Sequence, residues 1–491
     1  MRRVVSLLAL AVLLPLSLNA QGNFREEYEK FRKQSVTTYS DFRDKCNKEF
    51  IEFLKQSWTY YQAGAPIEKP KEEEVPPVVI ERDKEDKKPV SPVKSTPMPF
   101  DEVIAPPREE PRPMPLEPIR PLPVTHEDYV EFNFYNTPMK VRAQEKNKFH
   151  LESVKGRDIS KAWELLSSKD FDIVLADCLE IRDRYHLCDW AYLQALLAFS
   201  KAYLQSQNEA ILLTAYLYCQ SGYQMRLGTV DKSELTMLFG SKHQIYGYPC
   251  YRIDGVGFYP LNGTSQGLHV ADYAFPKEKG MSLFITEEPL LARDDSELRE
   301  LKAERLGAQS ASSVNKNLLA FYENYPSSQL DNNVVTRWAM YADVPLDPRT
   351  KEQLYPPLKE AIAGKSKPEA VEILLDFVQS AFEYEYDNKV WGGDRAFFSE
   401  ETLYFPYCDC EDRSILLSRL VRDLVGLDVI LIYYPGHLAS AVHFDEEIKG
   451  DYIYLNNKKF MVCDPTYIGA SIGMSIPGMD NKSAKVILLK R

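Results

Sequence analysis

The sequence predicts an α+β fold in which a helix packs on an antiparallel sheet. Two observations carry this. After Cys410, the residues Leu416, Leu417, Leu420, Val421, Leu424 and Val425 form an apolar stripe of helical period that stops at Gly426. Short apolar runs then alternate with two-residue turns: Asp428–Tyr434, Pro435-Gly436, His437–Phe444, and Tyr452–Leu455 joined through Asn456-Asn457 to Lys458–Cys463.

The elements follow in chain order. Residues 1–20 read as a secretory signal, with Arg2 and Arg3 ahead of an apolar run from Ser6 to Leu18 and a cleavage site after Ala20. The mature chain is therefore expected to be exported, periplasmic or extracellular, without a transmembrane anchor. Residues 21–64 form an amphipathic helical segment in which Phe24, Tyr28, Phe31, Phe42, Phe50 and Leu54 recur among charges. Its apolar face is expected on the protein's own body or on a partner whose identity the sequence does not give.

Residues 65–123 hold 16 of the 32 prolines, interleaved with Glu, Lys and Arg, and read as a disordered, semi-rigid linker. Residues 124–292 read as an α+β domain, with helices over 159–180 and 188–219 and a hairpin turning at Asp254-Gly255. Residues 293–491 form the last domain. It opens with a charged, helix-like stretch over 293–311, and a helix over 368–384 precedes a loop over 386–405.

A length of 491 residues allows two or three domains, and 44% apolar content suffices for a core. A formal charge of −12 argues against nucleic acid as a partner. Eight cysteines are too few to frame a chain of this size with disulfides. A Cys408–Cys463 bridge is conceivable. Cys408, Cys410 and Cys463 lack the paired spacing of a structural zinc site, so no metal and no cofactor is expected.

The run Ile415–Leu431 aligns without gaps on Ile211–Leu227, and each reads helix, Gly, strand. The middle domain is therefore a candidate degenerate copy of the last, or else both share only the generic pattern of an amphipathic helix before a buried strand. Ser206 stands where Cys410 stands, and no His or Asp obviously completes a site there.

One constellation carries chemistry. Cys410 opens a helix, where the dipole and free N–H groups favour thiolate. His437 follows 27 positions later and Asp464 another 27. An imidazole can take the thiol proton and a carboxylate can orient the imidazole. His443 is the rival imidazole, six residues on along the same strand. Glu411 and Asp412 either cap the helix or face solvent, and their charge works against a thiolate.

The last domain resembles the transglutaminase-like, papain-related superfamily. The resemblance rests on Phe382-Glu-Tyr384, Asp409-Cys410-Glu411-Asp412, Gly436-His437-Leu-Ala-Ser-Ala-Val442 and Phe460-Met-Val-Cys-Asp464-Pro465-Thr466-Tyr467, over roughly residues 315–475. It implies a thiolate Cys410, a proton-transferring His437, an orienting Asp464 and acyl transfer from an amide of a protein or peptide substrate. An oxyanion hole would combine the Cys410 backbone N–H with a donor such as Trp391 or Gln379. The expectation is an exported cysteine-dependent acyl-transfer enzyme, hydrolase or amine transferase. The alternative is a non-catalytic binding or scaffold protein that keeps the fold.

Overall fold

The computed structural model describes residues 42–71, 75–80, 92–106, 111–115 and 127–490. The expected signal segment lies outside the described residues. The protein is α+β, and among the described residues no helix is long and apolar enough to cross a membrane.

Of the helical segment expected over 21–64, residues 21–41 lie outside the described residues, 42–54 are helical, and Thr59–Tyr61 is a strand instead. Helix 42–54 turns its apolar face onto its own protein. Phe50 meets Trp163 edge-on at 4.6 Å between ring centroids, and Trp163 Nε1 donates to Asn47 Oδ1 at 3.1 Å. Trp163 is fully buried, on a helix spanning Gly156–Leu166. Trp163→Ala is expected to destabilise the fold by about 3–5 kcal/mol, because it opens a cavity and leaves Asn47 with Gln220 as its one remaining side-chain partner. A denaturant titration checks this, and an unchanged midpoint would contradict the docking of this helix.

The middle lobe has more helix breaks than the apolar periodicity indicates. The expected helix over 159–180 divides into Gly156–Leu166 and Asp170–Arg184, and that over 188–219 into Asp189–Tyr203 and Gln207–Gln220. Ser206 is the N-cap of the last of these. Apolar stripes continue across both breaks, which is why periodicity alone does not reveal them.

That helix packs on a six-stranded sheet ordered Thr59–Tyr61, Leu268–Ala271, Met225–Val230, Glu234–Ser241, Val256–Pro260, Tyr251–Ile253. The hairpin at Asp254-Gly255 forms as expected, with positive φ at both residues, as a two-residue turn of this hand requires.

The C-terminal lobe is built on the same plan. Helix Cys410–Leu424 packs on a sheet whose inner order is Lys485–Leu488, Val429–Tyr434, His437–His443, Lys458–Cys463, Asp451–Leu455. In both lobes the strand after the helix is central. The next strand pairs with it, the following hairpin folds so that its second strand lies inside, and a late strand closes the other side. The lobes are not separate in their cores. Ile415, Leu431, Leu438 and Ile487 join the cluster that includes Leu213, Leu217 and Phe239, and Trp338 on Thr336–Ala342 belongs to it as well.

Further expectations fail. The loop expected over 386–405 contains two short helices, Asp387–Val390 and Ser399–Tyr404. The stretch 293–311 is not helical but forms the antiparallel pair Arg299–Lys302 and Gln309–Ser312. Its helix-favouring Glu, Leu, Arg and Lys are overridden by tertiary contacts: Leu301 is buried, and Arg299 donates to the carbonyls of Leu403 and Phe405. The expected disordered linker over 65–123 instead supplies three short strands in its described parts. Val78–Val79 runs parallel to Tyr467–Ile468, Thr96–Pro97 edges the C-terminal sheet at Asp451–Tyr452, and Glu102–Ile104 edges it at Lys485–Ile487. Proline is tolerated there because each is an edge strand with one side unpaired, and buried Met98 and Ile104 anchor the segment.

Candidate functional site

Cys410 is the first residue of its helix, with Asp409 as N-cap. Asp412 closes the helix mouth from inside: its Oδ2 accepts the Asp409 N–H at 3.3 Å, and its Oδ1 takes the Phe397 N–H at 2.9 Å. Asp412 is thus a buried capping residue rather than a solvated one. Arg413, fully buried, ties the next turn down by donating to the carbonyls of Gln379 at 3.1 Å and Phe382 at 2.7 Å.

His437 leaves the tight turn at Pro435-Gly436, where Tyr434 pairs with His437 and Gly436 takes a φ of 76°. Register then sets its partner. Ser440 pairs with Cys463, so the inner strand ends where Asp464 can turn toward His437. His437 Nε2 and Asp464 Oδ2 lie 2.9 Å apart, both residues buried. Asp464 Oδ1 takes the Thr466 N–H at 2.9 Å, which fixes the carboxylate. The other ring nitrogen, Nδ1, is buried with no hydrogen-bond partner. The Ser414 hydroxyl, one turn after Cys410, donates to the carbonyl of Leu438 at 2.8 Å, so the first turns of the Cys410 helix lie against the strand at the position after the imidazole. The rival His443 is at the far end of the strand, with Nδ1 on the Lys459 carbonyl at 3.0 Å.

The thiol is less acidic than its place at a helix N-terminus predicts. Burial, followed by the neighbouring Glu411 and Asp409 carboxyls, pushes Cys410 well above its ordinary range, and the Leu438 N–H pulls the other way. Cys410 Sγ also lies 3.1 Å from Glu411 Oε2, to which it donates. The acidic surroundings are dense. Burial and Glu411 raise Asp387 to about 8, and burial among like charges raises Asp409 and Asp412 well above the carboxylate range. One oxygen from each of Asp387, Asp409 and Asp412 falls within 4.8 Å of the others, as do those of Asp387, Asp394 and Glu411. Backbone N–H groups already occupy both oxygens of Asp412 and one of Asp387, so protein donors satisfy much of what a cation would otherwise use.

Cys410 opens into a cleft of about 1070 Å³ between the lobes, lined by Tyr246 and Tyr248 on one side and Tyr386, Trp391 and Glu411 on the other. Trp391 thus reaches the same space as the thiol. Gln379 does not act as a donor to this space. Its Nε2 is held by the carbonyls of Asp464, Tyr467 and Ala470 at 3.2, 2.8 and 3.1 Å, and its Oε1 by the Gly469 N–H. It positions the loop that carries Asp464. The one sequence signal for this is a glutamine on the apolar face of a helix, next to Val378 and one turn after Leu375. All eight cysteines are free, and Cys408 contacts the Glu383 carbonyl rather than Cys463.

No family model matches this chain, and neither a curated protein nor a solved structure matches it. What the chain can be compared with is itself. Aligning Leu431 on Leu227, as the helix-Gly-strand match requires, carries Ser440 onto Met237 and His437 onto Glu234 through the two hairpin registers. The next registers carry Cys463 onto Leu261 and Asp464 onto Asn262. Asn262 Nδ2 donates to Glu234 Oε1 at 2.8 Å, at the place where His437 meets Asp464. Asn208, in the first helical turn, accepts the Leu235 N–H at 2.9 Å, the counterpart of Leu438. The middle lobe thus has a polar side-chain contact at the matching register, exposed where His437–Asp464 is buried, and Asn208 stands at Asp412 in this alignment, with Ser206 at Cys410.

Proposed function

We propose that the protein is a cysteine-dependent acyl-transfer enzyme acting on amide bonds of peptides or proteins, with a transglutaminase-like site. The observation that carries this reading is the buried His437–Asp464 pair, whose remaining ring nitrogen has no hydrogen-bond partner among the described residues and whose neighbour Leu438 accepts from Ser414 on the Cys410 helix. An imidazole held by carboxylate through one nitrogen and vacant at the other is arranged to accept a proton.

In this reading His437 Nδ1 takes the Cys410 thiol proton as Sγ bonds to the substrate carbonyl carbon. The oxyanion that forms faces the Cys410 backbone N–H at the helix mouth. The C–N bond then breaks, the amine leaves with the proton from His437, and a thioester remains. Water or a second amine, deprotonated by His437, releases the acyl group and regenerates the thiol.

A second reading, a non-catalytic binding protein, is favoured by one observation: Cys410 is buried, donates to Glu411 and is held in its neutral form. Peptide-mapped alkylation of the folded protein by iodoacetamide separates the two. The enzyme reading expects Cys410 to be modified ahead of the other seven cysteines near neutral pH, and a thioester to Cys410 to accumulate with an activated acyl substrate. Uniform slow labelling with no thioester would leave the binding reading.

A further inference from the structure

Residues 64–71, which follow the strand Thr59–Tyr61 of the middle sheet, are held on the protein by backbone and side-chain hydrogen bonds. Gly64 N–H donates to the Cys250 carbonyl at 2.8 Å, Ile67 bridges Tyr246 in parallel, and the Ile67 carbonyl takes the Gly247 N–H at 2.9 Å. Lys69 Nζ then reaches across to the Asp394 carbonyl at 3.0 Å. Lys69, Pro70, Lys71 and Val75 line the same cleft as Cys410. Beyond it, Val78–Val79 pairs with Tyr467–Ile468, just past Asp464, and Ile80 N–H donates to the Ile468 carbonyl at 3.0 Å. Residues 64–71 therefore lie along the cleft mouth on the middle lobe, and residues 75–80 reach the C-terminal lobe.

Its hold is shallow. Gly64, Pro66, Glu68, Lys69 and Lys71 are exposed, whereas Met98 and Ile104 further on are buried anchors. A stretch with few buried contacts and solvent-facing hydrogen bonds opens at low free energy while its ends stay fixed. The groove beneath has a definite chemistry. Its Tyr246–Cys250 wall offers backbone groups that pair with an extended chain. Its opposite wall carries Asp387, Asp409 and Glu411, and none of these three is in an ion pair among the described residues. The nearby cations are engaged: Arg337 pairs with Asp394, and Arg395 pairs with Glu401 and stacks over Trp391 at 4.5 Å. An aromatic groove with a backbone-pairing edge, whose crowded carboxyls are held protonated by burial and by one another until a cation offsets their charge, favours an extended ligand that brings its own positive charge.

We propose that this groove is the docking site for an extended, lysine-bearing peptide, and that residues 64–71 occupy it as a resident competitor which such a peptide displaces. The proposal names the substrate class of the acyl-transfer site and rests on that reading for its catalytic meaning. Its binding claim is testable without catalysis.

The probe is the synthetic peptide Gly-Ala-Pro-Ile-Glu-Lys-Pro-Lys, the sequence of residues 64–71, carrying a fluorophore, with a control in which both lysines are replaced by glutamate. The full-length chain is used, as wild type, as Ile67→Asp/Lys69→Glu and as Cys410→Ala. If the strap is closed about nine-tenths of the time, loosening it tightens peptide binding by about tenfold, since apparent affinity scales with the open fraction. Cys410 alkylation should accelerate in the loosened variant by a similar factor and slow again on adding the peptide. Cys410→Ala should bind the peptide as wild type does, and the glutamate control should neither bind nor protect. Equal peptide affinity in wild type and loosened variant, at matched melting temperature, would overturn the strap. Equal binding of the glutamate control would overturn the charge preference. A Cys410 that never reacts while the peptide still binds would sink the acyl-transfer reading and leave the groove standing.

Discussion

His437→Ala lowers the rate of thioester formation at Cys410 by about 10²–10⁴-fold, the range expected for loss of a positioned proton acceptor. The effect should be large here because nothing else near the sulfur can take its place. Glu411 accepts the thiol hydrogen bond, but its charge beside the sulfur disfavours the thiolate that proton removal creates. His443→Ala should leave the rate unchanged, since its ring nitrogen bonds the Lys459 carbonyl at the other end of the strand. Asp464→Asn keeps the shape but presents an amide N–H to either His437 Nε2 or the Thr466 N–H, where an acceptor is required. The imidazole then turns or changes tautomer, and a loss of about 10²-fold follows from misplacement alone. Pre-steady-state bursts with an activated ester measure all three. A His443→Ala loss equal to that of His437→Ala would remove His437 from the reaction.

The choice between the two histidines shows what the sequence holds and what it lacks. Gly436 before His437 marks a turn, and Cys463-Asp464 closes a strand, so the elements and their order are legible. Which residue on the strand faces Asp464 depends on register. That was fixed by the excursion after His443 folding back as an outer strand at Asp451–Leu455, leaving Lys458–Cys463 as the inner partner. No local signal states which strand of a hairpin lies inside. The helix carrying Cys410 was legible for the opposite reason: its apolar stripe and its cap are local.

The electrostatics of the site were only half legible. Glu411 and Asp412 are visible beside Cys410, but Asp387 comes from a stretch with no periodic pattern and arrives through the fold. The run of prolines also misled. Low apolar content is a sound argument against a core of its own, yet a segment can borrow order from sheet edges already formed, as Val78–Val79, Thr96–Pro97 and Glu102–Ile104 do. One gapless match hints at a shared plan in the two lobes, and their strand orders agree with it, whether by duplication or by the generic pattern of a helix before a buried strand. Strand order is a long-range property, and sequence similarity between copies can fade while the registers that hold Glu234 to Asn262 and His437 to Asp464 stay equivalent.

Stability is expected to fall as pH rises from about 4 toward 8, against the usual behaviour of an acidic protein whose carboxylates are paired. Burial holds several carboxyls in their neutral form in the folded chain. Asp387 is raised to about 8 and Glu400 and Glu401 to about 7, while Asp409 and Asp412 are raised well above the carboxylate range. Glu288 is raised to about 11, and neither of its carboxylate oxygens has a hydrogen-bond partner. In the unfolded chain each of these groups loses its proton near pH 4. Between that pH and the folded value, the folded state binds more protons than the unfolded one. The unfolding free energy then decreases by about 1.4 kcal/mol per pH unit for each proton held. For Asp387 the penalty is absent below about 4, grows to about 8 and is constant above. Urea midpoints at pH 5 and pH 8 read the slope directly, and Asp387→Asn, which carries no charge at either pH, should flatten it. A midpoint that rises from pH 5 to pH 8 would mean that these carboxylates are ionised in the fold and balanced by a cation. The same charge argument bears on the thiol. Neutral Asp387 and Asp409 oppose a thiolate less than ionised ones, so each proton that leaves the cluster makes the Cys410 proton harder to remove. A positive charge delivered by the substrate reverses that bias at the moment the cleft is filled.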